Sequence, residues 1–201
     1  CRRRACAPHG TGPRGGVSTP RPVENIPVVR DAADTDIVRI TEIYAHYVRT
    51  SVATFEESVP DKTEIAIRFA RISALRLPWL VIEDDNRVQG YAYAAPFRDR
   101  SAYRFTVEDS IYIAPDRMRR GYGAQLLSEL IARCEALGKR QMIAVVGGSE
   151  SSGSISLHSQ LGFRVAGVLP SAGFKFDAWA DSVLMTRTLA DGDASPPEDS
   201  A

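Results

Sequence analysis

An acidic residue on a predicted strand stands shortly before a loop rich in arginine and glycine. Glu108 lies in the stretch 107–113, where β-branched and aromatic residues dominate, so this stretch is predicted to be a strand. Pro115 ends the strand, because proline has no N–H to donate to a sheet. A carboxylate at this place can take a proton during a reaction, or it can be a solvent-facing strand residue.

The loop that follows is typical of a site for phosphate groups. Arg117, Arg119 and Arg120 lead into a helix that begins at the Gly-Tyr-Gly sequence 121–123. A helix start leaves about four backbone N–H groups without intrahelical partners and carries a partial positive charge, so it attracts anions. We therefore expect a phosphate-bearing cofactor here. The alternative is that these arginines only solvate a surface turn.

Length and charge narrow the class of protein. The 201 residues fit one domain, and the 25 basic and 25 acidic residues balance, which argues against a general nucleic-acid binder. A small-molecule partner is expected instead. There is no apolar run near the ~18 residues of a membrane helix, and the arginine-rich start is not followed by the apolar core of a secretion signal. A soluble, cytoplasmic protein that binds no membrane is expected, and no metal site is predicted.

The ends of the chain differ in composition from its middle. Residues 1–26 are rich in arginine, glycine and proline, and residues 190–201 are acidic and poor in apolar side chains, so both are expected to be disordered tails. The predicted domain spans 27–189. The chain has three cysteines, too few for a dense disulfide framework. Cys134 lies on a helical apolar stripe and is predicted to be a core residue, not a nucleophile.

Periodicity and turn residues predict an α/β (α+β) fold. The predicted order is a strand, two helices, three antiparallel strands, a helix, a strand, a short helix and two strands. This order implies a mixed, mostly antiparallel central sheet with helices on both faces. A parallel dinucleotide-binding fold does not fit, because the third glycine of its fingerprint is replaced by Leu126. The predicted ranges are strand 27–30, a helix from Asp34, a helix from Asp61, strands 79–83 and 88–94, helix 122–137 closed by Gly138, strand 142–146, a short helix through Leu161, and strands 163–169 and 182–189.

Several separate motifs occur in the order found in one known family. They are the strand and Arg/Gly loop described above, 96–100 with Tyr103, 106–110, 157–163, and 173–176 with Trp179 and Asp181. Together they resemble the Gcn5-related N-acetyltransferases, and within them the phosphinothricin acetyltransferase branch and its amino-acid N-acyltransferase relatives. The resemblance spans Val28 to about Leu189 and implies acetyl-CoA as co-substrate and a small amino acid or analogue as acceptor.

The resemblance implies a pyrophosphate-binding loop over 118–123, with the family's glutamine or arginine replaced by Met118. Backbone N–H groups supply much of such a contact, so we expect binding to survive this change, with nearby arginines compensating. Ser151 stands where the family has a cofactor-contacting asparagine, and its shorter side chain puts that contact in doubt. The cofactor-binding residues implied are Ile111, Tyr112, Ile113, Arg119, Arg120, Gly121, Tyr122, Gly123, Ala124 and Ser151.

Two side chains receive catalytic roles from the resemblance. Glu108 matches the family's proposed base, which removes a proton from the amine before or during its attack. His158 stands where this branch commonly has a histidine near the CoA sulfur, so it either donates a proton to the departing thiolate or packs on a short amphipathic helix. The backbone of 111–113 is implied to pair with the pantetheine arm and to polarise the thioester carbonyl.

The acceptor side is implied by a second group of residues. Arg98 and Arg100 resemble the branch's clamp for a substrate carboxylate, because the planar guanidinium pairs bidentately with it. Asp109 departs from the histidine or serine-type residue usual after the glutamate, and it would raise the pKa of Glu108 if both faced one cavity. The substrate-binding residues implied are Phe55, Arg98, Arg100, Tyr103, Glu108, Asp109 and Ser110.

The sequence thus predicts an N-acetyltransferase that moves acetyl from acetyl-CoA directly to the α-amine of a small amino acid or analogue, of the phosphinothricin or methionine sulfoximine type. A homodimer is expected, as is common in this branch. Two alternatives stay open: acetylation of another amine, such as a protein N-terminus or a polyamine, and a non-catalytic acyl-CoA-binding module. The departures at Met118 and Ser151 are what make the second conceivable.

Overall fold

The computed structural model of the protein describes residues 26–148 and 152–197. Residues 1–25 of the predicted N-terminal tail, Ser151 and residues 198–201 of the acidic tail lie outside these ranges. The helices are α1 (Ile37–Thr50), α2 (Lys62–Ala74), α3 (Tyr122–Ala136) and α4 (Ser152–Gln160). The strands are β1 (Val28–Asp31), β2 (Trp79–Asp84), β3 (Arg87–Pro96), β4 (Thr106–Ile113), β5 (Gln141–Gly147), β6 (Arg164–Lys175) and β7 (Ala178–Thr188).

The strands form one seven-stranded sheet in the order β1-β2-β3-β4-β5-β7-β6. β4 and β5 are parallel, and every other neighbouring pair is antiparallel. The mixed, mostly antiparallel sheet predicted from the order of elements is confirmed. The single parallel pair arises because α3 connects β4 to β5, and parallel neighbours need such a crossover.

The sheet opens between its two parallel strands. The register of β4 with β5 runs from Thr106 opposite Gln141 to Asp109 opposite Ala144, and it ends there. β4 nevertheless continues beside β3 as far as Ile113, and β5 continues beside β7 as far as Gly147. The strands therefore part after Asp109, and among the described residues no strand pairs with one edge of β4 from residue 110 onward.

The helices cover both faces of the sheet, as the sequence predicted. The Tyr112 ring contacts the rings of Tyr44 and Tyr47 on α1. The adjacent residue Ile111 points toward Gly123 at the start of α3. Because successive side chains of a strand point to opposite faces, α1 and α3 lie on opposite sides of β4.

The helix predicted from Asp34 begins with a 3-10 turn over Asp34–Asp36, and α1 itself starts only at Ile37. Two other end signals are confirmed. The Asp61 carboxylate accepts a hydrogen bond from the Glu64 amide at 2.9 Å, as expected of the residue that caps α2. Gly138 follows α3 with φ of 70°, the left-handed conformation of a helix-terminating glycine. Cys134 is fully buried, and burial raises the pKa of its thiol to about 12, so it is an unreactive core residue as predicted.

The predicted strands at the end of the domain are too short. β6 reaches Lys175 and β7 begins at Ala178, whereas the sequence predicted strands only over 163–169 and 182–189. Two irregularities interrupt the register of β6, between Val165 and Gly167 and between Leu169 and Gly173. They break the alternation of apolar and polar residues on which the prediction depended. The turn itself uses Phe176 and Asp177 at positive φ, without the glycine or asparagine that usually marks such turns.

The first described residues of the predicted acidic tail make turns against the domain. The Gly192 amide donates to the Leu189 carbonyl at 2.9 Å, and Asp191 lies 3.6 Å from the Arg140 guanidinium. Within 26–148 and 152–197, no helix is long and apolar enough to cross a membrane.

Candidate active site

A cavity of about 840 Å³ lies in the opening between β4 and β5. It brings together most of the side chains and backbone that the sequence singled out. Those that line it are Phe55, Glu108, Asp109, Ser110, Ile111, Tyr112, Ile113, Arg119, Gly121, Tyr122, Gly123, Ala124 and His158. Arg120, Arg98, Arg100 and Tyr103 are not among the lining residues, and Ser151 lies outside the described ranges.

The loop before α3 contains two residues with positive φ. Gly121 caps α3 with φ of 81°, and Arg119 also has a positive φ, of 62°. Alternating right- and left-handed residues turn successive N–H groups toward one point, which favours an anion. A Cβ at Gly121 would meet nothing within 4 Å, so the conformation and not the space requires glycine here. A Cβ at Gly123, in contrast, would lie 3.0 Å from Leu157 of α4.

Side chains of this loop point in different directions. Met118 is 56% exposed and lines the cavity, so the departure from the family pattern leaves an apolar side chain beside the backbone of this loop. The Tyr122 hydroxyl donates to the carboxylate of Asp84 at the end of β2. Tyr122 thus lines the cavity, and its hydroxyl links the start of α3 to the end of β2.

Glu108 stands where the two strands part. Its backbone still pairs opposite Ile143, and its half-buried carboxyl lines the cavity. Burial and the neighbouring charge of Asp109 raise the pKa of Glu108, and the Arg98 guanidinium opposes that rise. A raised pKa makes the carboxylate a stronger base than an exposed glutamate.

Asp109 and His158 form a buried pair across the opening. The His158 Nε2 lies 3.0 Å from Asp109 Oδ2, and its Nδ1 lies 2.8 Å from the Ser154 carbonyl oxygen. Both side chains are 2% exposed. Burial alone would lower the pKa of His158, but the hydrogen bond and charge of Asp109, with the Ser154 carbonyl, raise it above its ordinary value. Two acceptors around one imidazole fit the protonated ring, which donates at both nitrogens.

A group of aromatic residues that the sequence analysis did not assign to the site forms another wall. Tyr44, Tyr47 and Tyr93 line the cavity beside Tyr112. The Tyr44 hydroxyl lies 2.8 Å from Thr54 Oγ1, and the Tyr47 hydroxyl donates to the Ile113 carbonyl at 2.6 Å. Burial raises the pKa of Tyr44 to about 12, so these hydroxyls stay neutral hydrogen-bonding groups. On α1 the tyrosines are spaced like core residues, so the periodicity could not distinguish the two roles.

The predicted arginine clamp lies beside this cavity. Arg98, Arg100 and Tyr103 line a separate hollow of about 700 Å³ together with Phe97 and Asp99. All three are exposed, and Arg98 also stacks on Phe97, with 5.1 Å between the guanidinium carbon and the ring centroid. Arg98 nevertheless acts on Glu108 through its charge.

Comparisons with known proteins identify this arrangement. The sequence model of the acetyltransferase (GNAT) family matches residues 40–163. The chain belongs to the acetyltransferase (GNAT) family. It is 52% identical over 185 residues to a phosphinothricin N-acetyltransferase of Alcaligenes faecalis, covering 92% of both chains. It is 36% identical to an L-methionine sulfoximine/L-methionine sulfone acetyltransferase of Salmonella typhimurium, covering 84% of this chain and 97% of the relative.

A solved structure extends the GNAT likeness to three dimensions. The phosphinothricin acetyltransferase of Sinorhizobium meliloti, crystallised in complex with acetyl-CoA, is 47% identical, with a TM-score of 0.85 over 87% of this chain and 95% of that chain. The residues of the present chain fit such a group, because a loop with positive φ at the start of α3 and an edge of β4 that pairs with no strand of the described ranges border the same cavity.

The Asp109–His158 pair makes a prediction about stability and pH. Because the folded pKa of His158 is raised, its proton stabilises the folded state below the unfolded pKa of about 6.5, and this contribution is lost as pH rises through the folded pKa. We expect His158→Gln to lower the free energy of unfolding in urea more at pH 6 than at pH 9. The matched control is His46→Gln, whose imidazole contacts Thr50 and Tyr47 within α1. An equal loss at both pH values would contradict a charged pair.

Proposed function

We propose that this GNAT enzyme transfers acetyl from acetyl-CoA to the α-amine of a small amino acid or analogue, such as phosphinothricin or methionine sulfoximine. The observation that carries the proposal is a half-buried carboxyl of raised pKa, Glu108, at the point where β4 loses its partner strand beside an anion-binding loop. The names and the high identity of the relatives support the class of acceptor.

Glu108 is proposed as the general base. An amine attacks only when neutral, and an amino-acid amine is largely protonated near neutral pH, so a proton must leave before or during attack. The position of Glu108 in the cavity and its raised pKa suit this task, directly or through water. Attack is proposed to be direct, because Cys134 is buried in the core and unsuited to hold an acyl group.

The backbone is proposed to hold the cofactor. Acetyl-CoA supplies an acetyl group activated as a thioester. Along the open edge of β4, over residues 110–113, backbone N–H and C=O groups can form hydrogen bonds with an extended ligand. The ligand would then pair with β4 as an additional strand does. A backbone N–H at this edge can stabilise charge that develops on the carbonyl oxygen, an effect commonly worth about 3 kcal/mol. The loop 119–124 is proposed to bind the pyrophosphate, chiefly through N–H groups. We keep Ser151 as a proposed cofactor contact.

His158 is proposed to assist departure of the thiolate. Its raised pKa favours the protonated imidazole, which can give a proton to sulfur. Both nitrogens already face the acceptors Asp109 and Ser154, so this transfer requires one of those hydrogen bonds to open. A thiolate whose thiol has a pKa of about 8.5 can also leave without help, so the assistance is not essential.

The acceptor is proposed to bind between the aromatic wall and the arginine-lined hollow. Arg98 and Arg100 are proposed to pair with its carboxylate, with Phe55, Tyr103, Asp109 and Ser110 completing the pocket. The charge of Arg98 acts on Glu108, so the proposed clamp and base are near enough to interact electrostatically. An α-amino acid carries its amine and carboxylate on one carbon and needs both groups close together.

We further propose a homodimer in the cytoplasm. A monomer would leave many apolar side chains of the β6–β7 hairpin in water, which suggests that a second copy covers them. These exposed residues are Val165, Val168, Leu169, Phe174, Phe176 and Trp179. Sedimentation should give twice the chain mass of 22.0 kDa, and a monomer at micromolar concentration would contradict the dimer.

The cytoplasmic location rests on composition, since three cysteines cannot make a dense disulfide framework.

A panel of acceptors tests the activity. Purified protein is mixed with acetyl-CoA and phosphinothricin, methionine sulfoximine, methionine sulfone, a polyamine or an N-terminal peptide, and free thiol is followed. We expect turnover with the amino-acid analogues and little with the last two. Binding of CoA without turnover on any amine would overturn the enzyme and favour a binding module.

Glu108→Gln tests the base. We expect turnover at pH 7 to fall about 100-fold, and the loss to shrink as pH rises, because the substrate amine is then already neutral. As pH is lowered, Glu108 becomes protonated and can no longer act as a base. Because its pKa is raised, we expect wild-type activity to start falling at a higher pH than it would with a glutamate of ordinary pKa. The control Glu42→Gln changes an exposed glutamate of α1 that pairs with Arg39. A loss of the same size at every pH would count against a base.

Arg98→Ala tests the clamp. We expect the KM for an amino-acid acceptor to rise about tenfold, equivalent to about 1.4 kcal/mol, because a charge-assisted pair with its carboxylate is lost. The KM for the decarboxylated amine should not change. Arg133→Ala, which removes an arginine that pairs with Glu129 on α3, is the matched control. A rise of equal size for both acceptors would exclude recognition of the carboxylate by Arg98.

A further inference from the structure

A lysine at the end of β6 is buried although the catalytic scheme does not use it. Lys175 is 2% exposed. Its Nζ donates to the carbonyl oxygens of Ser51 at 2.8 Å and Thr54 at 2.7 Å. The same Nζ lies 4.9 Å from the centroid of the Phe176 ring. Lys175 therefore joins the β6–β7 hairpin to the segment that leaves α1.

This arrangement accounts for the three donors of the ammonium group. Two are taken by carbonyl oxygens, and the aromatic face of Phe176 attracts the charge. Burial lowers the pKa of Lys175, while the charges of Glu57 and Glu56 oppose the change. Burying a cation is costly unless hydrogen bonds replace its contacts with water. The two carbonyl groups and the end of β6 must therefore keep the positions that allow these hydrogen bonds.

The segment that Lys175 holds is a wall of the active cavity. Val52, Ala53, Thr54 and Phe55 all line it. Thr54 also links this wall to the aromatic residues of α1, because its Oγ1 lies 2.8 Å from the Tyr44 hydroxyl. Displacement of the segment would therefore move both Phe55 and a hydroxyl network that borders the acceptor side.

Close packing leaves this wall little room to shift. A Cβ added at Gly173 would lie 2.7 Å from the Phe55 ring. A Cβ added at Gly147, at the end of β5, would lie 1.9 Å from the Val52 carbonyl oxygen. The glycines let β5 and β6 approach the wall. The hydrogen bonds from the Lys175 ammonium then hold the wall in place along the strands.

We propose that Lys175 is a positioning residue for acceptor binding, acting through the Ser51–Phe55 wall. This inference rests on the proposed acetyl transfer to an amino-acid amine. Lys175 hydrogen-bonds the segment after α1, whereas the anion-binding loop is built at the start of α3 on the opposite face of β4. Its loss should therefore weaken acceptor binding and leave acetyl-CoA binding nearly unchanged.

Lys175→Met provides the test, because methionine keeps an unbranched side chain and removes the donors. We expect the KM for the amino-acid acceptor to rise about tenfold, the size of effect typical of losing a charged hydrogen bond. The KM for acetyl-CoA should stay within about twofold. Amide hydrogen exchange over 51–56 should become faster, since fewer contacts restrain that backbone. The control is Lys139→Met, which removes a lysine donating to the Arg104 carbonyl at 2.8 Å in a solvent-accessible place.

Unchanged exchange and an unchanged acceptor KM in Lys175→Met would overturn the proposal. An equal rise in both KM values would also overturn it, because the effect would not be confined to the acceptor side. If thermal unfolding shows that the Lys175→Met variant is not folded, the same comparison is made with Lys175→Gln, which keeps a side-chain amide as a donor. If the wild-type protein acetylates no amine, the proposed function fails, while the exchange measurement still tests whether Lys175 holds the wall.

Discussion

The architecture of the site depends on one break in the sheet. β4 and β5 stay paired only as far as Asp109 and Ala144, and then each continues beside a different neighbour. Backbone groups on a buried strand edge need partners, because an unpaired polar group away from water is costly. The Tyr47 hydroxyl supplies one of them at the Ile113 carbonyl, and the rest of the open edge borders the cavity. An extended ligand can therefore form hydrogen bonds with this open edge of β4. Glu108 lies where the open edge begins.

Two buried basic side chains, His158 and Lys175, link the elements around this break. His158 joins α4 to β4 through Asp109, the last β4 residue paired with β5. Lys175 joins β6 to the segment after α1. Each side chain has nitrogen–oxygen contacts of 3.0 Å or less, which offset the desolvation that burial imposes. These contacts connect segments that are far apart in the chain and border the same cavity.

Much of the fold was accessible from local sequence signals. Asp61 and Gly138 marked helix ends, the apolar stripe containing Cys134 marked a core face, and the segment from Glu108 to Gly123 marked a strand, a loop and a helix in the correct order. The extension of β6 and β7 was not accessible, because bulges interrupt the alternation and the Phe176–Asp177 turn lacks the usual residues. Tyr44 and Tyr47 have the helical spacing of core residues, which concealed their place on a cavity wall.

By itself the sequence determined the order of the elements, the mostly antiparallel sheet, the membership of the GNAT family and the segment that lines the cavity, because these follow from local periodicity and contiguous motifs. Only the tertiary structure decided which distant groups meet. Asp109 and His158 are 49 positions apart, and Lys175 is 124 positions from Ser51. Such contacts depend on where β4 and β5 part and on how far β6 extends, and both are set by the packing of the whole sheet. Local patterns cannot encode them, because a strand's periodicity shows which face a residue occupies but not which residue lies across from it.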